Sequence, residues 1–303
     1  VASRSLGGRE LVLFRAEDGR VAALDAFCTH LGAHLGEGGT VVDGAIRCPF
    51  HGFRFDPAGT CVSTAYGGKI PPTARLATWP IAEVNGLVFV WFGARGEAPW
   101  FAIPAVDREG WTAWRHHRFE LRGHPQEVAE NSVDTGHLEV VHGYRAVRSL
   151  APLTTEGPYL HARYAFDRPR AWVGRASVTA EIAIHQWGLG YALVEVDLPA
   201  LGLRTRQLVL SHPLGPDRLH LRIGMAVKTV DDPGRLHWAL TAFPARRWLA
   251  ERIADGAIGQ YVADVSQDLV FWNTKRHVAR PALAEGDGPI GRYRSWVRQF
   301  YPS

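Results

Sequence analysis

Cysteine is scarce in this 303-residue sequence: Cys28, Cys48 and Cys61 are the whole set. Three cysteines do not make a disulfide framework, so a stapled secreted scaffold is excluded and a reducing compartment fits. Lysine is as rare. Lys69, Lys228 and Lys275 stand among 34 basic residues, so arginine carries the positive charge. No dense basic run with interleaved aromatics occurs, which argues against a nucleic-acid partner. No apolar run approaches the roughly 18 residues of a spanning helix, so no membrane segment is expected. No signal peptide is visible either, and the expected location is the cytoplasm. The sequence opens on Val1 and its one methionine is Met225, so a start upstream of Val1 stays open.

What is present is ordinary globular material, 46% hydrophobic and 21% charged, long enough for about two domains. The net charge of +4 suits the steering of an acidic electron-transfer partner, and equally a solvated arginine-rich surface.

Two of the cysteines belong to the sharpest motif. Cys28-x-His30 is followed, after seventeen residues, by Cys48-x-x-His51. A mixed Cys2His2 set suits a structural zinc or a Rieske [2Fe–2S] cluster, in which two thiolates hold one iron and two imidazoles the other. Zinc fingers usually group Cys with Cys and His with His. Here each loop carries one of each, so each loop reaches both irons of a two-iron cluster. Gly32, Gly36, Gly38, Gly39, Pro49 and Gly52 supply tight turns around the ligands. The segment resembles the Rieske motif closely. His34, between the pairs, reads as an ordinary loop histidine, and Cys61 as a free, half-buried thiol.

Residues 1–96 read as an all-β domain, with hairpin signals at Asp18-Gly19, at Asp56-Pro57 with Gly59, and at Asn85-Gly86. The stretch Gly93–Pro104 reads as a linker. In residues 97–303 a helix is expected over 126–142. Six period-two stretches between about 158 and 243, the last spanning 235–244, predict an antiparallel sheet. A long amphipathic helix is expected from Ala245 to about Lys275, with Trp248, Ile253, Ile258, Tyr261, Val262, Val265, Leu269 and Trp272 on its inner face. His185, His212, His220 and His237 fall on strands. Trp187, Leu193 and Trp238 read as core.

The helix at 126–142 carries the second ligand set. Asp134 and His137 share a face, whereas His142 lies about 140° around from His137 on a regular helix. Both histidines reach one metal only if the helix kinks or widens, and Gly136 eases that. The facial triad of a non-haem Fe(II) oxygenase also needs a carboxylate. Asp255, Asp264 and Asp268 on the long helix are the candidates. Asp268 is flanked by inward-facing residues, where a carboxylate needs a partner.

Asp134-x-x-His137-x-x-x-x-His142 looks like the run of Rieske-type non-haem iron oxygenases. In its C-terminal part and in GHPQEVAENSVDTGHLEVVH, the chain resembles the steroid-acting branch, the cholesterol 7-desaturases and 3-ketosteroid 9α-hydroxylases. The resemblance implies His137, His142 and Asp268 as ligands of mononuclear Fe(II), and Asp134 as a catalytic bridge to a cluster ligand of a neighbouring subunit in a homotrimer. It also implies O2 as co-substrate, electrons from NAD(P)H through a separate reductase or ferredoxin, and a steroid or other apolar small molecule as substrate. The expected fold is α+β: an all-β Rieske domain, then a catalytic domain whose antiparallel sheet is packed by helices in the helix-grip manner. The expected activity is hydroxylation or desaturation. An aromatic-ring oxygenase or O-demethylase is the alternative within the class, and a non-catalytic Rieske electron carrier the alternative outside it.

Overall fold

The computed structural model describes residues 1–93, 95–169, 177–241 and 244–302. The chain forms two compact units: Val1–Val106 with Pro213–Pro216, and Asp107–His212 with Asp217–Ser303.

The first unit is all-β, as its alternating pattern and turn residues require. A three-stranded sheet of β1 (Ala2–Leu6), β2 (Arg9–Arg15) and β3 (Val21–Asp25) accompanies a four-stranded sheet of β4 (Thr40–Val42), β5 (Ala45–Arg47), β6 (Arg54–Phe55) and β7 (Cys61–Ser63). A separate hairpin joins β8 (Ile81–Val84) to β9 (Leu87–Val90). All three predicted hairpins form. Asn85 and Gly86 both take positive φ, 58° and 78°, the geometry of a type I′ turn. The Asn85 side chain also donates to the Pro104 carbonyl and accepts from the Val106 N–H, which ties the predicted linker to this hairpin. Ala94 of that linker lies outside the described residues. Val12, Phe14, Leu24, Leu35, Ile46 and Phe55 form one core with Cys28 and Cys48. Cys61 joins it, fully buried rather than half-buried, because it faces inward from β7.

The second unit is built on seven strands: β10 (Arg115–Arg122), β11 (Arg145–Glu156), β12 (Tyr159–Pro169), β13 (Ser177–Trp187), β14 (Tyr191–Leu198), β15 (Leu203–Pro213) and β16 (Arg218–Val227). Strands β11 to β16 lie side by side in chain order, and β10 pairs antiparallel with β16 at one edge. Strand β11 was not expected, because its pattern is broken by register shifts against β12. Helix α3 (Arg246–Thr274) lays Val265 and Trp272 on Leu219, Leu221 and Ile223 of β16. Helix α4 (Ile290–Val297) packs Tyr293 and Trp296 against Leu160, Ala162 and Tyr164 of β12 and Ile184 of β13. The architecture is α+β, as expected.

Among the described residues of the stretch 235–244 there is no strand. The chain forms 3-10 turns at Pro233–Arg235 and Trp238–Leu240, with the His237 side chain accepting the Ala239 N–H. Strand β16 already has neighbours on both sides, so no edge is left for it there. Ala242 and Phe243 lie outside the described residues. His237 is therefore a turn cap, and Trp238 is 80% exposed rather than core. Trp248 is also exposed, off the buried stripe of α3.

Candidate metal centres

In the first unit two loops repeat one backbone design. The Cys28 N–H donates to the Ala33 carbonyl, and the Gly32 N–H returns to the Cys28 carbonyl. The Cys48 N–H donates to the Phe53 carbonyl, and the Gly52 N–H returns to the Cys48 carbonyl. Gly32 and Gly52 sit at φ 77° and 68°, where a side chain is strained, so glycine closes both turns. At Gly39 a Cβ would run into the Leu35 carbonyl. Thus CTHLGA and CPFHGF hold matched Cys and His side chains.

The His30 and His51 rings lie 4.7 Å apart at 80°, and His30 stacks on Phe53 at 4.4 Å. Cys28 and Cys48 are both buried. Burial, with Cys48 alongside, pushes the Cys28 thiol up to about 11. A thiol raised in this way becomes a thiolate beside a strong cation such as a metal. His30 Nδ1 is buried without a hydrogen-bond partner, a costly arrangement for a bare imidazole and the expected one for a metal ligand. The residues therefore fit a metal group. Among the described residues, His137, His142 and Asp268 are the set whose ligand atoms converge within 4.8 Å. One cysteine and one histidine from each loop, with the two histidine rings side by side, suit a two-iron cluster. His34 is the predicted loop histidine, accepting the Gly36 N–H at 3.1 Å.

The second site lies where one expected helix becomes two. Helix α1 (Pro125–Glu130) ends at Asn131, and α2 (Thr135–Val140) begins after Asp134. Asn, Ser and Asp compete with helical backbone bonds, and three of them lie in the gap. Ser132 Oγ bonds back to the Ala129 carbonyl at 2.7 Å. Asp134 turns extended and caps α2, accepting the His137 N–H at 3.2 Å. Burial alone would raise the Asp134 carboxyl, but its contacts with His137 outweigh this and hold it below the ordinary value.

The two histidines meet without the expected kink or widening at Gly136. Helix α2 simply stops, and Gly143 at φ 66° turns the chain while its N–H bonds the Glu139 carbonyl. His142 thus lies past the helix end, 5.2 Å from His137 between ring centroids. His137 Nδ1 faces the Asp134 carbonyl, and His142 Nδ1 faces Gln267 Oε1 at 3.2 Å. An acceptor at Nδ1 fixes the proton there and leaves the Nε2 lone pair for a metal. Asp268 Oδ2 lies 3.6 Å from His142 Nε2. Burial lowers the basicity of His142, and the Asp268 carboxylate more than reverses this.

The competing aspartates are already engaged. Asp255 pairs with Arg115 at 2.7 Å. Asp264 accepts from Arg168, from Tyr144 at 3.3 Å and from Gln260 at 3.0 Å. Asp268 has His142 instead of an arginine, so three neutral or anionic donors converge as a 2-His-1-carboxylate set should.

Sequence reasoning missed the frame around this set. Arg294 of α4 grips buried Glu130 through two bonds, 2.6 and 2.9 Å, and Tyr293 Oη donates to the Gln126 carbonyl at 2.9 Å. Lys275 and His277 reach Glu127 at 2.6 and 2.7 Å. The acids of PQEVAE carried a signal, since a helix so apolar on one side buries some of its charges.

Residues 1–80 match the Rieske [2Fe-2S] domain, and residues 90–301 match the 3-Ketosteroid 9alpha-hydroxylase C-terminal domain. The chain is 31% identical over 310 residues to a cholesterol 7-desaturase of Bombyx mori, covering 97% of this chain and 64% of that protein. It is 31% identical over 318 residues to a probable 3-ketosteroid-9-alpha-monooxygenase oxygenase component of Rhodococcus rhodochrous, covering 97% and 74%. It is 32% identical to a cholesterol 7-desaturase of Ciona intestinalis over 97% of this chain and 63% of that one, so it spans less than two thirds of both animal relatives. Among solved structures, Pseudomonas putida CBB5 NdmA with caffeine superposes with a TM-score of 0.73 at 18% identity, covering 98% of this chain and 83% of that chain. Dicamba monooxygenase bound to dicamba gives 0.68 at 22%, covering 98% and 91%. These two likenesses concern the fold alone. The metal groups of the chain are a Rieske [2Fe–2S] cluster and a mononuclear non-haem iron. With both domain models matched in order along its length, the chain belongs to the Rieske oxygenases of the 3-ketosteroid 9alpha-hydroxylase family.

Proposed function

We propose that this chain is the oxygenase component of a Rieske non-haem iron monooxygenase that hydroxylates or desaturates a sterol-like substrate, most in the manner of a cholesterol 7-desaturase. The observation that carries the reading is the convergence of His137, His142 and Asp268 within 4.8 Å, in a chain that also holds Cys28, His30, Cys48 and His51 in paired loops. Residues 1–96 form the Rieske domain and 97–303 the catalytic domain. When bound, the cluster supplies electrons singly and the mononuclear iron supplies O2 activation. The protein groups hold these centres and exclude water. Cys28 and Cys48 provide the thiolates, and His30 and His51 the imidazoles. His137 and His142 present Nε2, each ring locked through Nδ1, and Asp268 supplies the carboxylate from the buried side of α3. Tyr144, stacked on Phe166 at 4.4 Å, and buried Trp272 keep the surroundings apolar.

Asp134 caps α2 while its side chain stays partly exposed, which supports a catalytic role as the bridge to a cluster histidine of a neighbouring copy in a homotrimer. Electrons come from NAD(P)H through a separate reductase or ferredoxin, a reading supported by the words "oxygenase component" in the Rhodococcus relative's name. The substrate is a steroid or similarly apolar small molecule, and the setting is the cytoplasm. No helix among the described residues is long and apolar enough to cross a membrane.

Turnover with a panel of sterols, 3-ketosteroids and aromatic acids, an electron source and product identification tests the reading. A hydroxylated or desaturated steroid is the expected product. Oxidation of aromatic acids with every steroid untouched would transfer the chain to the aromatic-ring oxygenase or O-demethylase reading.

A further inference from the structure

The iron ligands come from two places far apart in the chain: the short helix at 135–140 with the turn after it, and the C-terminal part of α3. Nothing in either element alone fixes the distance between them. Two contacts join them beside the ligands, Gln267 to His142 at 3.2 Å and Tyr144 to Asp264 at 3.3 Å, and a second group gathers at the C-terminal end of α3. The Arg122 N–H donates to Asn273 Oδ1 at 2.8 Å. Gly123, at φ 137°, brings the chain against the Trp272 carbonyl. Glu127 of α1, 8% exposed, then binds Lys275 Nζ at 2.6 Å through Oε2 and His277 Nδ1 at 2.7 Å through Oε1.

Lys275, the C-cap of α3, lies seven positions beyond Asp268, about two turns along the helix. Ten residues separate Glu127 from His137, across the break at Asn131–Asp134. We propose that Glu127 is a positioning residue for the mononuclear iron site: its carboxylate clasps Lys275 and His277 and sets the spacing between Asp268 and the histidine pair. This rests on the metal-site reading above. The clasp touches none of the three ligands, and it acts through the two elements that carry them.

A surface ion pair is worth little and tolerates loss. This one is different, because the carboxylate is buried and both its oxygens are engaged by cationic or donor groups. Removing the charge leaves Lys275 and His277 without their anchor and lets the end of α3 drift. A carboxylate ligand displaced by a few tenths of an ångström weakens metal binding, and outer partners of metal sites are typically worth 10–100-fold in affinity.

The test is anaerobic titration of the whole chain with Co(II), followed by visible absorption, for wild type, Glu127→Gln, Lys275→Met and the double variant. Glu195→Gln serves as the control for loss of a paired carboxylate, because its more exposed pair with Arg206 on the sheet, at 2.9 Å, joins no ligand elements. Expected are about 10–100-fold weaker Co(II) binding for Glu127→Gln, a smaller loss for Lys275→Met, and a double variant no worse than Glu127→Gln. The cluster spectrum should not change, and Glu195→Gln should bind as wild type. Binding by both Glu127→Gln and Lys275→Met within twofold of wild type overturns the proposal. Equal weakening in Glu195→Gln overturns it as well, because the effect is then general loss of stability. If Glu127→Gln does not fold, the Lys275→Met comparison decides by the same criterion. Co(II) uptake that survives His137→Ala overturns the metal-site reading itself, a result distinguishable from either of these.

Discussion

Replacing Asp268 by alanine should separate the two metal centres cleanly. Asp268 is buried, and His142 Nε2 is its ion-pair partner. In the metal-free protein His142 can shed its proton once the carboxylate is gone, so the apo variant should lose less stability relative to wild type than the cost of stranding a buried charge. With Fe(II) the two should diverge. At a thousand times Kd a ligand that binds only the folded state stabilises it by about 4.1 kcal/mol. Losing one of three protein ligands weakens binding by at least the ~100-fold seen for outer partners. At the same metal concentration the variant then keeps about 1.4 kcal/mol, a deficit of about 2.7 kcal/mol. For a unit of this size that is about 5–11 °C in Tm. Anaerobic calorimetry with and without Fe(II) measures it, while the visible cluster spectrum reports on the first unit and should be unchanged. Steroid turnover should vanish. A variant that retained the full metal-dependent rise would refute the triad as drawn, and retained turnover would do the same.

Three other outcomes follow from the frame around the site. Arg294→Met strands the buried Glu130 carboxylate and should cost about 3–5 kcal/mol, and Glu130→Gln in the same chain should recover much of it; urea unfolding checks both. Gly288→Ala puts a Cβ at φ 79° against the Val133 carbonyl and should lose about 1–3 kcal/mol with weaker Fe(II) uptake; an unchanged Tm would deny that this loop presses on the helix break. Burial works against the Glu127 charge, but hydrogen bonds from Lys275 and His277 prevail and hold the carboxyl below its ordinary 4.5. Its stabilisation is therefore complete above that value and is lost as pH falls through the lower folded value. The Tm gap between wild type and Glu127→Gln should close on that acid limb, and a gap constant from neutral pH downward would contradict the linkage.

The cluster loops were legible because their chemistry and their turns occupy the same few residues. Cys28 to Gly32 and Cys48 to Gly52 fix their own conformation, so spacing was enough. The mononuclear site was legible in its ligands but not in its geometry. Periodicity placed Asp268 inward on α3, yet it also ran one helix straight through Asn131–Asp134. The break depends on side-chain bonds from Ser132 and Asp134 that a pattern of apolar residues does not register. Gly136 drew attention as a source of distortion, whereas Gly143 makes the turn. Residues 235–244 alternate like a strand, but a strand needs a free edge, and only the sheet order reveals that β16 has none. Arg294 and Lys275 were invisible as partners, because their acids lie more than a hundred residues away.

The position of α4 has a consequence for how the protein is made. The first unit draws its cluster ligands from the 24 residues Cys28 to His51, and its loops close on themselves. The helix pair that leads into His137 and His142 is held from outside by Arg294, Tyr293 and Gly288. A ribosome adding about 5–20 residues per second translates His142 some 8–30 s before it translates that segment. During that interval the nascent chain carries two exposed imidazoles and no assembled triad. Short helices of this length do not persist unsupported. The cluster loops are therefore complete early in synthesis, whereas the ligand triad is complete only after the elements that hold it have arrived.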